Sequence, residues 1–194
     1  MKKLACIPAL MLVLGFILFS CNNNSTGLAS APSKDSLIKR GAYLVTTMGC
    51  NDCHSPKKMG PNGPEPDPDR LLSGHPAGLP LPPAADTTTS KNWLLFNPGV
   101  TAFVGPWGTS FAANLTSDPT GMGGWTIERF SKALREGKYN GIEGTRAILP
   151  PMPWPNYTHV SDQDLLALFT YLQSTKPVKN LVPQPIPPGA VAKK

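Results

Sequence analysis

The stretch that decides the fold is Cys50-Asn51-Asp52-Cys53-His54. Two cysteines in an exported chain usually form a disulfide, and the spacing C-x-x-C on its own suggests a redox dithiol. A thioredoxin-like dithiol needs a βαβ context, which the flanking sequence does not offer. Zinc needs a second Cys/His pair at a matching distance, and the sequence has none. The histidine that directly follows the second cysteine favours another chemistry.

The complete motif, C-x-x-C-H, is the attachment signature of c-type haem. Two thiols add to the two vinyl groups of haem, and a short helical turn brings both sulfurs to the same edge of the porphyrin. The imidazole that follows then reaches the iron as its proximal ligand. The motif occurs once, so the sequence predicts one covalent haem c, held by Cys50, Cys53 and His54.

A six-coordinate electron carrier needs a second axial ligand opposite that histidine. Met152 lies in the stretch Pro150-Pro151-Met152-Pro153-Trp154-Pro155, in which four prolines fix the backbone around the thioether. A stiff ligand lowers the reorganisation that accompanies a change of oxidation state, and a thioether raises the reduction potential. We therefore predict Met152 as the sixth ligand. Met122 is the next candidate and His75 would give a bis-histidine site, whereas His159 is expected in a loop.

The N-terminal residues predict export and a lipid anchor. Lys2 and Lys3 form a basic start, and Leu4 to Phe19 is an apolar run of 16 residues, shorter than the roughly 20 that span a membrane. The run ends in Leu18-Phe19-Ser20-Cys21, which resembles a bacterial lipobox, so we predict that Cys21 is lipidated. A plain signal peptide cut nearby and an uncleaved anchor are the alternatives. Each of these places the domain on the periplasmic side, at or near a membrane.

The composition fits one globular domain whose regular structure is often interrupted. The chain has 194 residues, 40% of them hydrophobic and 15% charged, which allows a core and argues against disorder. It contains 23 Pro and 18 Gly, so long ladders of strands and a pure helical bundle fit poorly. The net charge is +6, or +4 without Lys2 and Lys3, and no run of basic residues exceeds two. A nucleic-acid partner is therefore not expected.

Three segments carry the pattern of amphipathic helices with polar caps. The first runs from Ser33 to Met48 and has Ser33 or Ser36 as its cap. The second, Thr126 to Glu136, shows a continuous apolar stripe. The third, Ser161 to Ser174, begins with a serine and two acids that resemble a capping box. We expect the first helix to deliver the two thiols to the haem.

The segments outside these helices are rich in proline and glycine. Residues 56–90 include eight prolines between positions 61 and 85, which excludes a helix or a central strand and predicts a loop around the haem edge. Residues 93–116 carry many aromatic side chains broken up by Gly and Pro, and they predict short strands or a hairpin. Five prolines between 177 and 188 predict an extended tail, either laid over the domain or mobile.

Four side chains are candidate partners of the haem propionates. Trp107, Asn114, Trp125 and Arg146 carry N–H donors of a suitable type, and a packing or surface role is the alternative for each. The sequence offers no constellation of acid, base and nucleophile that would indicate catalysis. We therefore expect an electron carrier rather than an enzyme.

With these motifs in place, the chain resembles the class I c-type cytochromes. Gly41-Ala42-Tyr43-Leu44, ahead of the C-x-x-C-H motif, is similar to the N-terminal helix of that family, and Leu165 to Leu172 is similar to its C-terminal helix. In the family these two helices cross closely, with the glycine of the first against an aromatic residue of the second. The resemblance implies that Gly41 packs against Tyr171 or Phe169.

A closer resemblance is to the cytochrome c subunits of membrane-bound alcohol, aldehyde and gluconate dehydrogenases. It implies electron transfer, with Met152 as the axial ligand. Those subunits usually carry three haem domains, whereas this chain has one haem motif. The resemblance covers most of residues 36–183 and rests on Asn114 to Asp118, Thr120 to Thr126, Phe130 to Gly137, Met152-Pro153-Trp154 and Leu165 to Leu172, followed by Pro177-Val178.

The sequence thus predicts a mostly α, cytochrome c-like fold of a few helices around one haem, with long proline-rich loops and a short β-hairpin. The expected layout is a signal peptide in residues 1–20, a tether in 21–34, a cytochrome c domain in 35–176 and a tail in 177–194. Such a protein would carry single electrons from a dehydrogenase or quinol-oxidising complex towards a terminal oxidase. A haem enzyme or sensor with an open sixth site, and an electron-transfer subunit of a dehydrogenase complex, are the alternatives.

Overall fold

The computed structural model describes residues 31–80 and 87–189. The predicted signal peptide, the lipidation site Cys21 and most of the predicted tether lie outside these residues. Within them, no helix has the length and hydropathy that crossing a membrane requires. The helices in the described ranges are α1 (Lys34–Thr47), α2 (Cys50–His54), α3 (Thr87–Asn92), α4 (Ile127–Glu136) and α5 (Asp162–Ser174), with 3₁₀ turns at Tyr139–Gly141 and Trp154–Tyr157.

The three long helices begin where the sequence predicts, because each has a hydroxyl side chain at its N-cap. The Ser33 hydroxyl accepts a hydrogen bond from the Ser36 backbone N–H at 3.2 Å, which identifies the first of the two candidate caps. Thr126 caps α4 and Ser161 caps α5 in the same way, at 3.3 and 3.1 Å. Such caps satisfy N–H groups that have no partner inside the helix.

Helices α1 and α5 pack closely against each other at Gly41. A Cβ atom placed on Gly41 would collide with the Ala167 carbonyl oxygen and would lie 2.5 Å from Cβ of Tyr171. The glycine therefore lets the two backbones pack with no side chain between them, and the expected contact of Gly41 with Tyr171 is present. This crossing fixes where α1 ends and hence where the cysteine-bearing turn begins.

One hydrophobic core joins α1, α4 and α5. Apolar side chains from the three helices meet there, and the loop residues Leu72 and Met122 fill the space between them. Burial of each large aliphatic side chain contributes about 1.5–3 kcal/mol. The buried members of this cluster are Val45, Leu72, Met122, Phe130, Leu134, Leu165, Leu168 and Leu172.

Two small antiparallel sheets accompany the helices. The first is a hairpin of β1 and β2, and the second is a three-stranded sheet in the order β3-β4-β5. The second sheet confirms the strands predicted in residues 93–116. The strand bounds are β1 Lys57–Gly60, β2 Gly63–Pro66, β3 Leu95–Phe96, β4 Ala102–Gly105 and β5 Gly108–Phe111.

The loop predicted for residues 56–90 is in part regular. It contains the β1–β2 hairpin, in which Lys57 pairs with Pro66 and Met59 with Pro64. Proline is tolerated here because each strand has a single neighbour and the proline nitrogens can face away from the ladder. The loop prediction was also wrong at its end, where α3 begins at Thr87. The fold class is therefore helical with two small sheets, and the mostly α prediction is only partly met.

Candidate functional site

A cavity of about 590 Å³ lies beside α2 and gathers most of the predicted site residues. Its walls come from the ends of α1 and α2, the segment 110–125, the inner face of α4, the loop 148–153 and the segment 181–185. Its lining is mainly apolar, as expected of a site for a flat organic group. Seven predicted residues line it: Cys50, Cys53, His54, Asn114, Trp125, Arg146 and Met152.

The two cysteines of α2 stand at this cavity as unpaired thiols. Both are partly buried, and their sulfurs are not joined to each other. Burial raises the pKa of Cys50 to about 11 and also raises the pKa of Cys53, with the Asp52 carboxylate acting in the same direction in each case. Near neutral pH both groups are therefore uncharged thiols, the form that suits an apolar cavity.

The His54 ring is held in the tautomer that a metal ligand needs. Nδ1 lies 2.8 Å from the Ala113 carbonyl oxygen, and because a carbonyl can only accept, Nδ1 must be the protonated nitrogen. The lone pair is then on Nε2, and metal-binding histidines are oriented in this way by a hydrogen bond from the other ring nitrogen. Burial lowers the pKa of His54 and so favours the neutral imidazole, while the hydrogen bond to Ala113 has a smaller, opposite effect on the pKa.

A short segment, Leu72 to His75, fixes the carbonyl that orients this ring. The Gly74 N–H donates to the His54 carbonyl at 2.7 Å, and the His75 N–H donates to the Ala112 carbonyl at 2.9 Å. The segment thereby ties the end of α2 to the irregular residues after β5 that carry the Ala113 oxygen. The sequence analysis did not identify this support, because it consists of backbone bonds between residues far apart in the chain.

Met152 lies on the cavity wall in a loop with two firm anchors. The Ile148 N–H donates to the Gly137 carbonyl at 2.7 Å, and the Ser110 hydroxyl donates to the Pro150 carbonyl at 2.5 Å. The Met152 side chain is partly buried and packs against the core. Its role as an iron ligand stays a prediction that this placement supports.

The competing ligand candidates have other surroundings. Met122 also lines the cavity but is only 2% exposed, and its carbonyl accepts from the Gln173 side chain at 2.6 Å, so it is a member of the core. His75 is fully buried, with Nδ1 2.9 Å from the Thr101 hydroxyl, and neither it nor His159 is among the described residues that line the cavity. Met59 is 77% exposed on β1.

Two guanidinium groups reach the cavity. Arg146, which the sequence analysis proposed, stacks on the Tyr139 ring at 3.8 Å from its centroid. Arg129, which it missed, stacks on the Trp125 ring at 4.3 Å and donates from Nε to the Asn140 carbonyl at 2.7 Å. The available signal for Arg129 was its place one helical turn after Trp125, at the cavity end of α4.

The other two candidate donors are used within the protein. The buried Asn114 amide donates to the Val178 carbonyl at 2.9 Å and to the Thr120 hydroxyl at 3.2 Å, so it joins loops as well as lining the cavity. Among the described residues that line the cavity, Trp107 is not included. Its indole N–H instead donates to the Ser110 hydroxyl at 3.2 Å.

The C-terminal segment 177–189 lies along the domain as a strap. Its residues 181–185 line the cavity, and Ile186 pairs with Thr109 of β5 through two backbone bonds of 2.8 and 2.9 Å. Gly108 permits this approach, because a side chain there would collide with the Ile186 carbonyl. Of the two expectations for the tail, the one that lays it over the domain is met.

Asn180 fastens the strap to the segment that supports His54. Its side-chain amide donates to the carbonyls of Ser73 and His75 at 2.7 and 2.9 Å, and its side-chain oxygen accepts from the Ala77 N–H at 3.0 Å. One asparagine therefore connects the cover of the cavity with the residues that hold the imidazole.

Comparison with known proteins gives the family. The chain is 31% identical to a gluconate 2-dehydrogenase cytochrome c subunit from Pantoea cypripedii over 163 residues, which are 84% of this chain and 27% of that protein. It is 30% identical to the cytochrome c subunit of a quinone-dependent alcohol dehydrogenase from Gluconobacter oxydans over 158 residues, 79% of this chain and 25% of that subunit. The chain is a cytochrome c relative.

A third cytochrome c relative is similar over a comparable stretch. The fructose dehydrogenase cytochrome subunit of Gluconobacter japonicus is 33% identical over 144 residues, 73% of this chain and 22% of that subunit. This chain thus spans about a quarter of the length of the curated relatives it matches. No family model matches it. The resemblance to dehydrogenase cytochrome c subunits that the motifs indicated is confirmed.

The residues of this cytochrome c relative fit a covalently held haem. Two unpaired thiols stand three positions apart on one short helix, and the imidazole next to them presents an unprotonated Nε2. The cavity lies within the range of about 300–1,000 Å³ that ligand sites in proteins occupy. Two arginines at its walls can pair with carboxylates such as the propionates of haem.

Proposed function

We propose that this chain is a mono-haem c-type cytochrome that carries single electrons between redox partners. The observation that carries the proposal is that Cys50, Cys53, a correctly protonated His54 and Met152 all line one cavity. When bound, haem supplies the one-electron couple of ferric and ferrous iron. The chain's own part is to hold the group, to set its surroundings and to limit what moves between the two oxidation states.

Each of these residues has a distinct role in the proposal. The thiols of Cys50 and Cys53 would hold the haem through two thioether links, and Nε2 of His54 would bind its iron. The Ala113 carbonyl keeps the imidazole ring from rotating, because rotation would break its bond to Nδ1. The thioether of Met152 would be a further iron ligand, and a thioether ligand raises the reduction potential.

The cationic side chains of the cavity have a supporting role. Arg129 and Arg146 pair with the propionates, and the rings on which they stack limit their freedom of movement. Asn114 acts by joining the strap to the wall, since its amide hydrogens are directed to protein oxygens. Trp125 forms part of the cavity wall, and Trp107 supports Ser110 through its indole N–H.

The proposed setting is the periplasmic face of a membrane. The apolar N-terminal run and Cys21 favour export and a lipid anchor. The relatives are cytochrome subunits of gluconate, alcohol and fructose dehydrogenases, which favours a dehydrogenase as electron donor. A quinol-oxidising complex is the other donor class, and a terminal oxidase is the proposed acceptor.

The test uses the full chain expressed in a host that matures c-type cytochromes. We expect one haem per chain that stays attached after denaturation and acid-acetone extraction, and a six-coordinate low-spin spectrum. Met152→Ala should abolish the weak far-red band of sulfur-to-iron charge transfer and give a high-spin spectrum. Met59→Ala, at an exposed methionine outside the cavity lining, is the matched control. It should leave the far-red band and the low-spin spectrum unchanged.

Two results would contradict the proposal at different levels. Complete loss of pigment on extraction would show that haem is not covalently attached and would refute the proposed function. A wild-type spectrum that is already high-spin, and that Met152→Ala does not alter, would instead favour a haem enzyme or sensor with an open sixth site.

A further inference from the structure

The side chain of Lys57, on β1, closes the carbonyl end of the cysteine-bearing helix α2. Its ammonium donates to the backbone carbonyls of Asn51, Asp52 and Ser55 at 3.2, 2.9 and 2.7 Å. The last carbonyls of a helix have no partner within it, and α2 has five residues, so most of its carbonyls need partners from outside. One lysine thus supplies donors to two carbonyls of α2, those of Asn51 and Asp52, and to the carbonyl of its C-cap residue Ser55.

The geometry also fixes a positive charge beside the haem-attachment motif. Three carbonyl acceptors match the three N–H bonds of an ammonium, and a neutral amine has one N–H too few. A cation at a helix C-terminus interacts favourably with the helix dipole. The site is partly shielded from solvent, which weakens screening of the charge and lets it act on its neighbours.

The hydrogen bonds also place this charge close to the proposed iron ligand. The ammonium contacts the backbone carbonyls of Asp52 and Ser55, which lie on either side of His54 in the chain. The charge therefore lies beside the backbone that carries the imidazole.

We propose that Lys57 is a positioning residue of the haem site: it holds the carbonyl end of α2 in place, and its fixed charge raises the reduction potential of the iron bound to His54. This inference rests on the proposed function. Reduction adds one electron and lowers the charge at the iron by one unit, so a nearby cation favours the reduced form. Loss of that cation should therefore lower the potential.

Lys58 provides a matched control next to it. It follows Lys57 on β1, where successive side chains point to opposite faces, and it is exposed. Replacing either lysine by methionine removes one positive charge and keeps a side chain of similar length. A specific role of Lys57 predicts different effects of the two changes, whereas a general effect of net charge predicts equal ones.

The experiment is a potentiometric titration of the matured full chain, with haem content measured first. We expect Lys57→Met to lower the ratio of ferrous to ferric protein at a fixed potential about fourfold or more, as for a unit charge at roughly 10–20 Å in an effective dielectric of about 20. Lys58→Met should change the ratio less than about twofold because solvent screens an exposed charge. Lys57→Arg keeps the positive charge, so its ratio of ferrous to ferric protein should stay close to that of the wild type.

The outcomes separate this inference from the proposed function. Absence of covalent haem in the wild-type chain would contradict the proposed function itself. With haem present, an unchanged potential in Lys57→Met, or equal shifts in the two variants, would overturn the role of Lys57. If Lys57→Met does not mature, Lys57→Gln keeps an amide donor without the charge, and the same fall in potential is required of it.

Discussion

Replacement of Gly41 by alanine tests the contact on which the position of the haem motif depends. The added Cβ would lie 2.5 Å from Cβ of Tyr171 and would collide with the Ala167 carbonyl oxygen. Ordinary contact between carbon atoms needs about 3.5–4.0 Å, so α1 and α5 would have to separate by roughly 1 Å. Ala167 is fully buried, and its backbone cannot move unless α5 moves against the core.

Two opposing effects set the size of the change. Alanine is favoured over glycine inside a helix by about 1 kcal/mol, and this alone would stabilise the protein. Overpacking of a well-packed contact costs about 1–3 kcal/mol. Because the collision involves backbone atoms that cannot change rotamer, we take the upper end and expect Gly41→Ala to lower the free energy of unfolding by about 2 kcal/mol.

The assay is urea unfolding of the haem-loaded full chain, followed by far-UV circular dichroism. Gly78→Ala is the control, since, apart from its two chain neighbours, no atom of the described residues lies within 4 Å of the position its Cβ would take. This control should change the free energy of unfolding by less than about 0.5 kcal/mol. If Gly41→Ala proves as stable as the wild type or more stable, helix propensity outweighs packing, and the reasoning about the α1–α5 crossing is wrong.

Two further predictions concern the strap and the thiols. Asn180→Ala leaves the carbonyls of Ser73 and His75 without the donor that the Asn180 amide provides. The free energy of unfolding, measured with urea, should therefore fall by about 2 kcal/mol. For the control Lys179→Ala, at an exposed residue of the same segment outside the cavity lining, the free energy of unfolding should fall by less than about 0.5 kcal/mol, and equal losses would contradict the assigned role. For Cys50 in the chain without haem, the pKa of about 11 predicts that alkylation by iodoacetamide, followed by peptide mass spectrometry, keeps accelerating well above pH 9. A plateau near pH 9 would show that burial does not suppress the thiolate.

The helices and the haem motif could be read from the sequence because their signals are local. A hydroxyl residue before an apolar stripe marks each long helix, and Ser33, Thr126 and Ser161 all act as caps. The spacing of Cys50, Cys53 and His54 is equally local, since one turn of helix contains it. The partner of Gly41, Tyr171 or Phe169, followed from the resemblance to a known family, whereas a glycine inside a helix indicated by itself only that some element approaches closely.

Features that depend on distant parts of the chain were not predictable in this way. The β1–β2 hairpin was missed because the prolines were taken to exclude strands. Proline excludes only central strands, and both strands of an isolated hairpin are edge strands. Arg129 was missed because its one local signal, a place one helical turn after Trp125, does not show which end of α4 faces the cavity. Trp107 was proposed as a propionate partner because of its indole N–H, but in the structure this N–H donates to the hydroxyl of Ser110 on β5.

The supports of the site share this origin. The Ala113 carbonyl, the Gly74 N–H and the Asn180 amide are common groups whose importance comes from where the fold brings them. Composition and periodicity do not predict such contacts between residues that are distant in the sequence. Sequence reasoning could therefore name the groups proposed to bind haem, whereas the groups that hold them in place become visible only in the structure.

The strap has a consequence for how the cavity becomes filled. Residues 181–185 follow every other residue of its lining in the chain, so a polypeptide that emerges N-terminus first exposes the thiols of α2 long before this side is covered. The covering stretch contains no helix, and a few hydrogen bonds of Asn180 and Ile186 fasten it. That side of the cavity is therefore completed last along the chain, by residues outside the helical framework.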